Sequence, residues 1–315
     1  MTATISFRDG RSSDLRAAFG LYERSMAGTA RRVGAASAGD PDEAEIEANW
    51  KLERPLVEFM AAQEDGSFCM AEDDGELAGF ARVVRFGRIE QLTEICVAED
   101  WRGRGIGRAL LERCWPEPPT KEVGRIVVAA GSGLDLSLLL EFGVMPATGH
   151  WHLSQPAERY LEHRSQQVLD TAEAAVHVLS PDRAVPEWQR LEPEAIAHER
   201  PLLHEFFGRQ RVCLASLDED GQANALCWVG TSGYIGPGVA SEAGDLVPVV
   251  LAALDRVAKA EEPEALHVFC TTDSWWLLRR LRSLGFRVDW PGWILCSEPL
   301  PGLDRYVPTR PAYVL

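Results

Sequence analysis

Trp101-Arg-Gly-Arg-Gly-Ile-Gly-Arg108, running directly into Ala109-Leu-Leu-Glu-Arg113, decides how the chain is read. Ile89-Glu-Gln-Leu-Thr-Glu-Ile-Cys-Val97 stands before it and has the apolar character of a strand. The order is therefore strand, glycine loop, helix. Glycine at 103, 105 and 107 lets backbone N–H groups approach a ligand without a Cβ in the way. The helix behind the loop turns its positive dipole end and its first N–H groups to the same place. That combination accepts a phosphate or pyrophosphate. Arg102, Arg104 and Arg108 surround it with positive charge.

Two other glycine loops fit less well. A dinucleotide fold carries its fingerprint in the first strand–helix unit, with an acidic residue about twenty positions on. Here the loop lies a third of the way along, and arginine fills its variable positions. A nucleoside-triphosphate loop ends in Gly-Lys-Ser/Thr, whereas Gly107 is followed by Arg108-Ala109.

The stretch resembles the GNAT superfamily of N-acetyltransferases. The residues that carry the resemblance are the strand end Ile95-Cys96-Val97, the turn Ala98-Glu-Asp-Trp101, and Arg102-Gly103-Arg104-Gly105-Ile106-Gly107-Arg108. The resemblance implies that Arg102 to Arg108 grip the pyrophosphate of acetyl-coenzyme A, used as a co-substrate. It implies that Ile95, Cys96 and Val97 pair with the pantetheine arm. The fold it implies is mixed α/β, with a central mixed sheet flanked by helices in each of two tandem domains.

The chain has 315 residues, enough for two domains, and 46% hydrophobic residues, enough for packed cores. A net charge of -16 argues against a nucleic-acid-binding surface and favours a cationic or amine acceptor. Only Lys51, Lys121 and Lys259 are lysines, which we read as base composition. The seven cysteines show no Cys-x-x-Cys pair and no metal-ligand spacing, so buried reduced thiols and no metal are expected. No signal pattern and no long apolar span appear, so a cytoplasmic chain with no membrane partner is expected.

Taken in order, Thr4 to Phe7 reads as a strand and Asp14 to Met26 as an amphipathic helix. Residues 27–42 read as a loop, and Pro41 to Met60 returns to helix. Phe68 to Val84 is a hairpin turning at Glu72-Asp-Asp-Gly75, with Gly75 at a positive-φ position. A helix follows the glycine loop to Cys114, then a strand over Arg125 to Ala130. A short helix runs from Leu134 to Phe142 and stops at Gly143, and a strand contains Trp151-His-Leu153.

The second half repeats the first at offsets near 140. Val212-Cys-Leu-Ala echoes Phe68-Cys-Met-Ala71, and Leu254-Asp-Arg256 echoes Leu111-Glu-Arg113. Leu284-Gly-Phe286 echoes Phe142-Gly-Val144, and Gly292-Trp-Ile-Leu295 echoes His150-Trp-His-Leu153. This points to a duplicated domain. We expect residues 1–157 as the acetyl-coenzyme A domain, 158–175 as linker, and 176–315 as a degenerate copy. In that copy the loop reads Gly238-Val-Ala-Ser-Glu-Ala-Gly-Asp-Leu-Val-Pro248, without the glycine spacing or arginine. Glu242 and Asp245 would repel a diphosphate.

Acetyl transfer to an amine needs a base for the amine proton. Glu94 is the first candidate, and Glu90, four residues earlier, is expected on the same strand face. His152, with His150 beside Trp151, is a second kind of base or relay. In the family a tyrosine four residues before the closing glycine often protonates the leaving thiolate; that position is Leu139. The asparagine that often opens this helix is Ser132 here. Some related enzymes use a C-terminal carboxylate, so Tyr306, Tyr313 and the Leu315 carboxylate are further candidates. The expected function is acetyl transfer to a small amine, with a protein amine or non-catalytic acyl-coenzyme A binding as alternatives.

Overall fold

A computed structural model describes residues 5–32, 39–130, 133–167, 175–230, 233, 235–260 and 263–309. Tyr313, Leu315 and Ser132 lie outside these residues. The chain divides into two compact units, Met1–Met145 with Leu295–Glu298, and Pro146–Ile294 with Pro299–Leu315.

In the first unit, the strand β1 (Ser6–Asp9) is followed by helices α1 (Leu15–Arg32) and α2 (Glu43–Ala61). Then come β2 (Ser67–Asp73), β3 (Glu76–Phe86) and β4 (Ile89–Val97). The helix α3 (Ile106–Cys114), β5 (Gly124–Ala129) and α4 (Gly133–Glu141) complete the series. The strands lie in the order β1-β2-β3-β4-β5. All neighbours are antiparallel except β4 and β5, which are parallel. The β2–β3 turn has Asp74 at φ 49° and Gly75 at φ 86°, the left-handed pair a tight hairpin needs.

The helix α1 continues six residues beyond its expected end at Met26. Ala30 is buried, Thr29 Oγ donates to the Ser25 carbonyl at 2.9 Å, and Arg31 and Arg32 sit at the negative end of the helix dipole. These contacts outweigh the glycine at 28. At the start of α2, Asp42 accepts from the Glu45 N–H at 2.8 Å while the Glu45 carboxylate accepts from the Asp42 N–H at 2.9 Å.

The sheet carries a core on each face. Leu92, Val83, Ile106, Leu110, Leu111, Trp115 and Leu139 pack under α3 and α4. Ala18, Leu21, Met70, Phe80 and Cys96 pack under α1.

The second unit holds most of β6 (Met145–Pro156), then α5 (Ala157–Ser165), β7 (Val176–Leu179), α6 (Pro181–Ile196) and α7 (Pro201–Gly208). It continues with β8 (Arg211–Leu217), β9 (Ala223–Gly230), β10 (Ile235–Ala240) and α8 (Leu246–Ala260). The last elements are β11 (Ala265–Thr271), α9 (Trp275–Ser283), β12 (Arg287–Cys296) and β13 (Tyr306–Val307). From β7 to β12 the element order is that of β1 to β6. The strands β13-β10-β9-β8-β7 form one sheet. Its core is built round α8, with Leu251, Leu254 and Val257 against Leu226's neighbours Ala225 and Cys227 and against Val268.

The boundary differs from the expected one. Residues 158–165 are helix, not linker, because α5 is anchored in the second unit. The Tyr160 hydroxyl donates to Asp255 Oδ1 at 2.7 Å, and Arg164 Nη2 lies 3.0 Å from Asp255 Oδ2. The first unit in turn takes Leu295–Glu298 from the far end of the chain: the Ser297 N–H donates to the Arg125 carbonyl at 3.0 Å.

Candidate active site

The glycine loop is exposed at the start of α3. Gly103 has φ 75° and Gly105, the residue preceding the helix, φ 80°. A side chain at either would meet open space, so it is the left-handed backbone that requires glycine there. The first helical hydrogen bond runs from the Ala109 N–H to the Gly105 carbonyl at 3.0 Å. The N–H groups of Ile106, Gly107 and Arg108 therefore point out of the helix end, as an anion site demands. The Ile106 side chain is buried against Leu110 and Leu111 and anchors the turn.

The arginines are held as well as exposed. Arg102 Nε donates to the Val97 carbonyl at 3.0 Å, and Arg104 Nη2 to the Asp100 carbonyl at 2.8 Å. Arg108 reaches Glu141 at 2.7 Å, with both side chains about half exposed.

Strand β4 opens away from β5 beside this loop. Their parallel register runs from Ile89↔Gly124 to Leu92↔Val127 and ends there, although both strands continue. Ile95, Cys96 and Val97 keep their pairing to β3 on the other side. Their side chains are already used: Ile95 and Val97 pack under α3, and Cys96 is buried under α1. Burial pushes the Cys96 thiol up to about 12, so it is an inert thiol. These three residues can serve a ligand only through their backbone.

Glu94 and Glu90 do not share a face. The β3–β4 register runs Arg82↔Glu94 and then Val83↔Leu92, so Thr93 is an extra residue in β4. A bulge of one residue reverses the alternation beyond it. Glu94 faces α1 and α2. Glu90 faces the other core, 3.5 Å from Arg125 Nε, and Arg125 lies over the Trp115 ring at 4.6 Å. Glu90 is thus a structural partner of Arg125.

Around Glu94 the structure gathers residues that spacing alone did not join. Arg82 Nε lies 3.5 Å from Glu94 Oε2, and the Thr93 hydroxyl donates to the same oxygen at 2.7 Å. Glu53 of α2 is buried. The Tyr22 phenol is raised well above its usual value, first by burial and then by Glu23, Glu94, Cys96 and Glu53. Burial also raises Glu23, against the Asn49 amide that donates to it at 2.6 Å. Glu53 was detectable in the sequence as a carboxylate in the apolar stripe Ile46, Glu53, Val57, Met60 of a helix.

The remaining candidates lie elsewhere. Leu139, where the resemblance would put a tyrosine acid, is buried in the apolar core under α3. His152 belongs to the second unit, on β6, with its Nδ1 3.3 Å from Asp289. His150 is buried in the same unit, and burial lowers it to about 3, so it stays neutral. Tyr306 is fully buried in the second unit, with Arg200 Nη2 donating to its hydroxyl at 2.5 Å.

In the second unit, β10 takes the position of β4, and its edge is paired. Strand β13 lies antiparallel to it, with Gly238↔Val307 and Val239↔Tyr306. The turn that follows β10 carries Glu242 and Asp245. Burial raises the Asp245 carboxyl, and the Glu242 charge adds to this.

Comparison with known proteins agrees with this architecture. The profile of the acetyltransferase (GNAT) domain matches residues 64–130, from β2 through β5. No curated protein sequence matches the chain. Among solved structures, a putative acetyltransferase from Pyrococcus horikoshii superposes with a TM-score of 0.65 at 15% identity, covering 96% of this chain and 92% of that one. A tandem GNAT protein from the clavulanic acid biosynthesis pathway gives 0.60 at 15% identity, covering 94% and 99%. A GCN5-related N-acetyltransferase from Sphaerobacter thermophilus gives 0.53 at 16% identity, covering 95% and 97%. The chain has the fold of these structures, one of them a tandem GNAT protein, and residues 64–130 of its first unit match the acetyltransferase (GNAT) domain.

Proposed function

We propose that the protein transfers an acetyl group from acetyl-coenzyme A to the amine of a small cationic acceptor, using the first unit alone. The observation that carries this reading is the pairing of an outward-facing helix end at Gly105–Arg108 with a β4 edge released from β5 after Leu92. A pyrophosphate suits the first and the amide-bearing pantetheine arm suits the second.

Glu94 is the proposed base. It would take the amine proton, directly or through water, so that the neutral nitrogen can attack the thioester carbonyl. A backbone N–H at the free β4 edge would steady the oxyanion. The thiolate then leaves without a tyrosine at position 139, which a thiol, being a good leaving group, tolerates. Arg82 offsets Glu94, and the carboxylates of Glu23 and Glu53 leave the α1–α2 face acidic, which favours a cationic acceptor.

Calorimetry with acetyl-coenzyme A on the full chain and on Gly105→Glu tests the reading, followed by thiol release over a panel of amines. One equivalent bound by the native chain and none by the variant is expected. Two equivalents would contradict a single working site. Binding without turnover on any small or peptide amine would favour non-catalytic acyl-coenzyme A binding, a reading that Leu139 supports.

A further inference from the structure

We propose that His152, His267 and Asp289 form a binding site for a first-row divalent cation of the Zn²⁺ class. The site lies wholly in the second unit and is independent of the acetyl-transfer reading. No spacing in the sequence reveals it, because its members come from three strands that the fold aligns.

The alignment follows from register. Strands β6 and β11 pair antiparallel with His152 opposite Phe269 and Ser154 opposite His267. Cross-strand partners share a face, and so do residues two apart, so His152 and His267 stand diagonally on one face. Asp289 of β12 joins them there, because the Ser154 hydroxyl donates to its Oδ1 at 2.6 Å. That bond leaves Oδ2 directed at the two imidazoles. His152 Nδ1 lies 3.3 Å from it and His267 Nδ1 4.0 Å, and the three ligand atoms lie within 4.8 Å of one another.

Two imidazoles and one carboxylate are a donor set that suits zinc and its neighbours and leaves a position for water. Tetrahedral bonds of zinc length hold ligand atoms about 3.4 Å apart. The His152–Asp289 distance already meets this. His267 must rotate inward, since the two rings are 5.1 Å apart with planes within 10°. Its side chain is 31% exposed and that of Asp289 34%, so both the rotation and the entry of an ion have room. The Ser154 hydroxyl plays the part of the outer group that orients a ligating carboxylate. A plain ion pair would account for one histidine beside Asp289, but not for two turned to the same oxygen.

The test is titration of the full chain, stripped with a chelator and dialysed, with ZnCl2 by calorimetry, alongside Co²⁺ absorption. One equivalent is expected, with the visible bands of a nitrogen- and oxygen-bound cobalt and no thiolate band. His267→Ala and Asp289→Asn should abolish it, Ser154→Ala should weaken it roughly ten-fold, and the control His163→Gln should leave it unchanged. Circular dichroism confirms that each variant is folded. Absence of binding by the folded native chain would overturn the proposal. So would binding that survives both His267→Ala and Asp289→Asn.

Discussion

Arg82 and Glu94 face each other across β3 and β4, Nε to Oε2 at 3.5 Å, with each side chain 2% exposed. A buried ion pair of this kind is costly to break and nearly neutral to replace whole. Arg82→Leu alone should therefore destabilise the first unit by about 3–5 kcal/mol, since it strands a buried carboxylate. The double variant Arg82→Leu with Glu94→Leu should recover most of that loss in thermal melts. Amine acetylation should not recover with it, because the base is gone. Turnover at the native rate in the stable double variant would remove Glu94 from the chemistry.

A second buried network predicts a purely structural effect. The Tyr306 hydroxyl accepts from Arg200 at 2.5 Å, Arg200 reaches Glu192 at 2.6 Å, and His204 Nε2 lies 3.0 Å from the same carboxylate oxygen. Tyr306→Phe removes one partner of a buried guanidinium and should lower stability by about 1–3 kcal/mol. The affinity for acetyl-coenzyme A, measured by calorimetry, should stay as it was. A selective fall in turnover with unchanged stability would return Tyr306 to the list of catalytic candidates.

What could be read from the sequence was local. The strand, glycine loop and helix of residues 89–114 follow from periodicity and from glycine's backbone freedom. The β2–β3 hairpin follows from Asp74-Gly75, and the duplication from recurring short motifs. What could not be read was register. A count of two residues per repeat cannot see the extra residue at Thr93, so it places Glu90 and Glu94 on one face when they occupy two. Nor can a sequence show that Leu295–Glu298 joins the first unit, or that Tyr306-Val307 lies on β10, since both pairings span long stretches of chain. The cluster at His152, His267 and Asp289 was hidden for the same reason.

The buried histidines His150 and His198 should add to the acid sensitivity of the second unit. Burial lowers His150 to about 3 and His198 to about 4. In the unfolded chain both would titrate near 6.5. Their neutral form is the one the fold accepts, so the stability they leave intact is fully present above pH 6.5. It falls as the pH drops towards 4, by about 1.4 kcal/mol per pH unit for each group. Thermal melts from pH 7.5 to 4.5 should show this decline. His150→Phe keeps an aromatic ring against Phe269, which lies 4.5 Å from His150, and should flatten the slope. An unchanged slope would mean that other groups govern the acid limit.

The second unit should resist conversion into a second acetyl-coenzyme A site by charge removal. Three features separate it from the first unit: the carboxylates Glu242 and Asp245 after β10, the β10 edge covered by Tyr306-Val307, and a loop without the glycine spacing or arginine. Glu242→Gln with Asp245→Asn removes only the first. The paired edge still denies an amide-bearing arm its backbone partners, because Gly238 and Val239 are already matched to Val307 and Tyr306. Calorimetric stoichiometry of the double variant should therefore stay at one per chain. A second equivalent, abolished by restoring either carboxylate, would show that charge alone had silenced this copy and that β13 yields its place to a ligand.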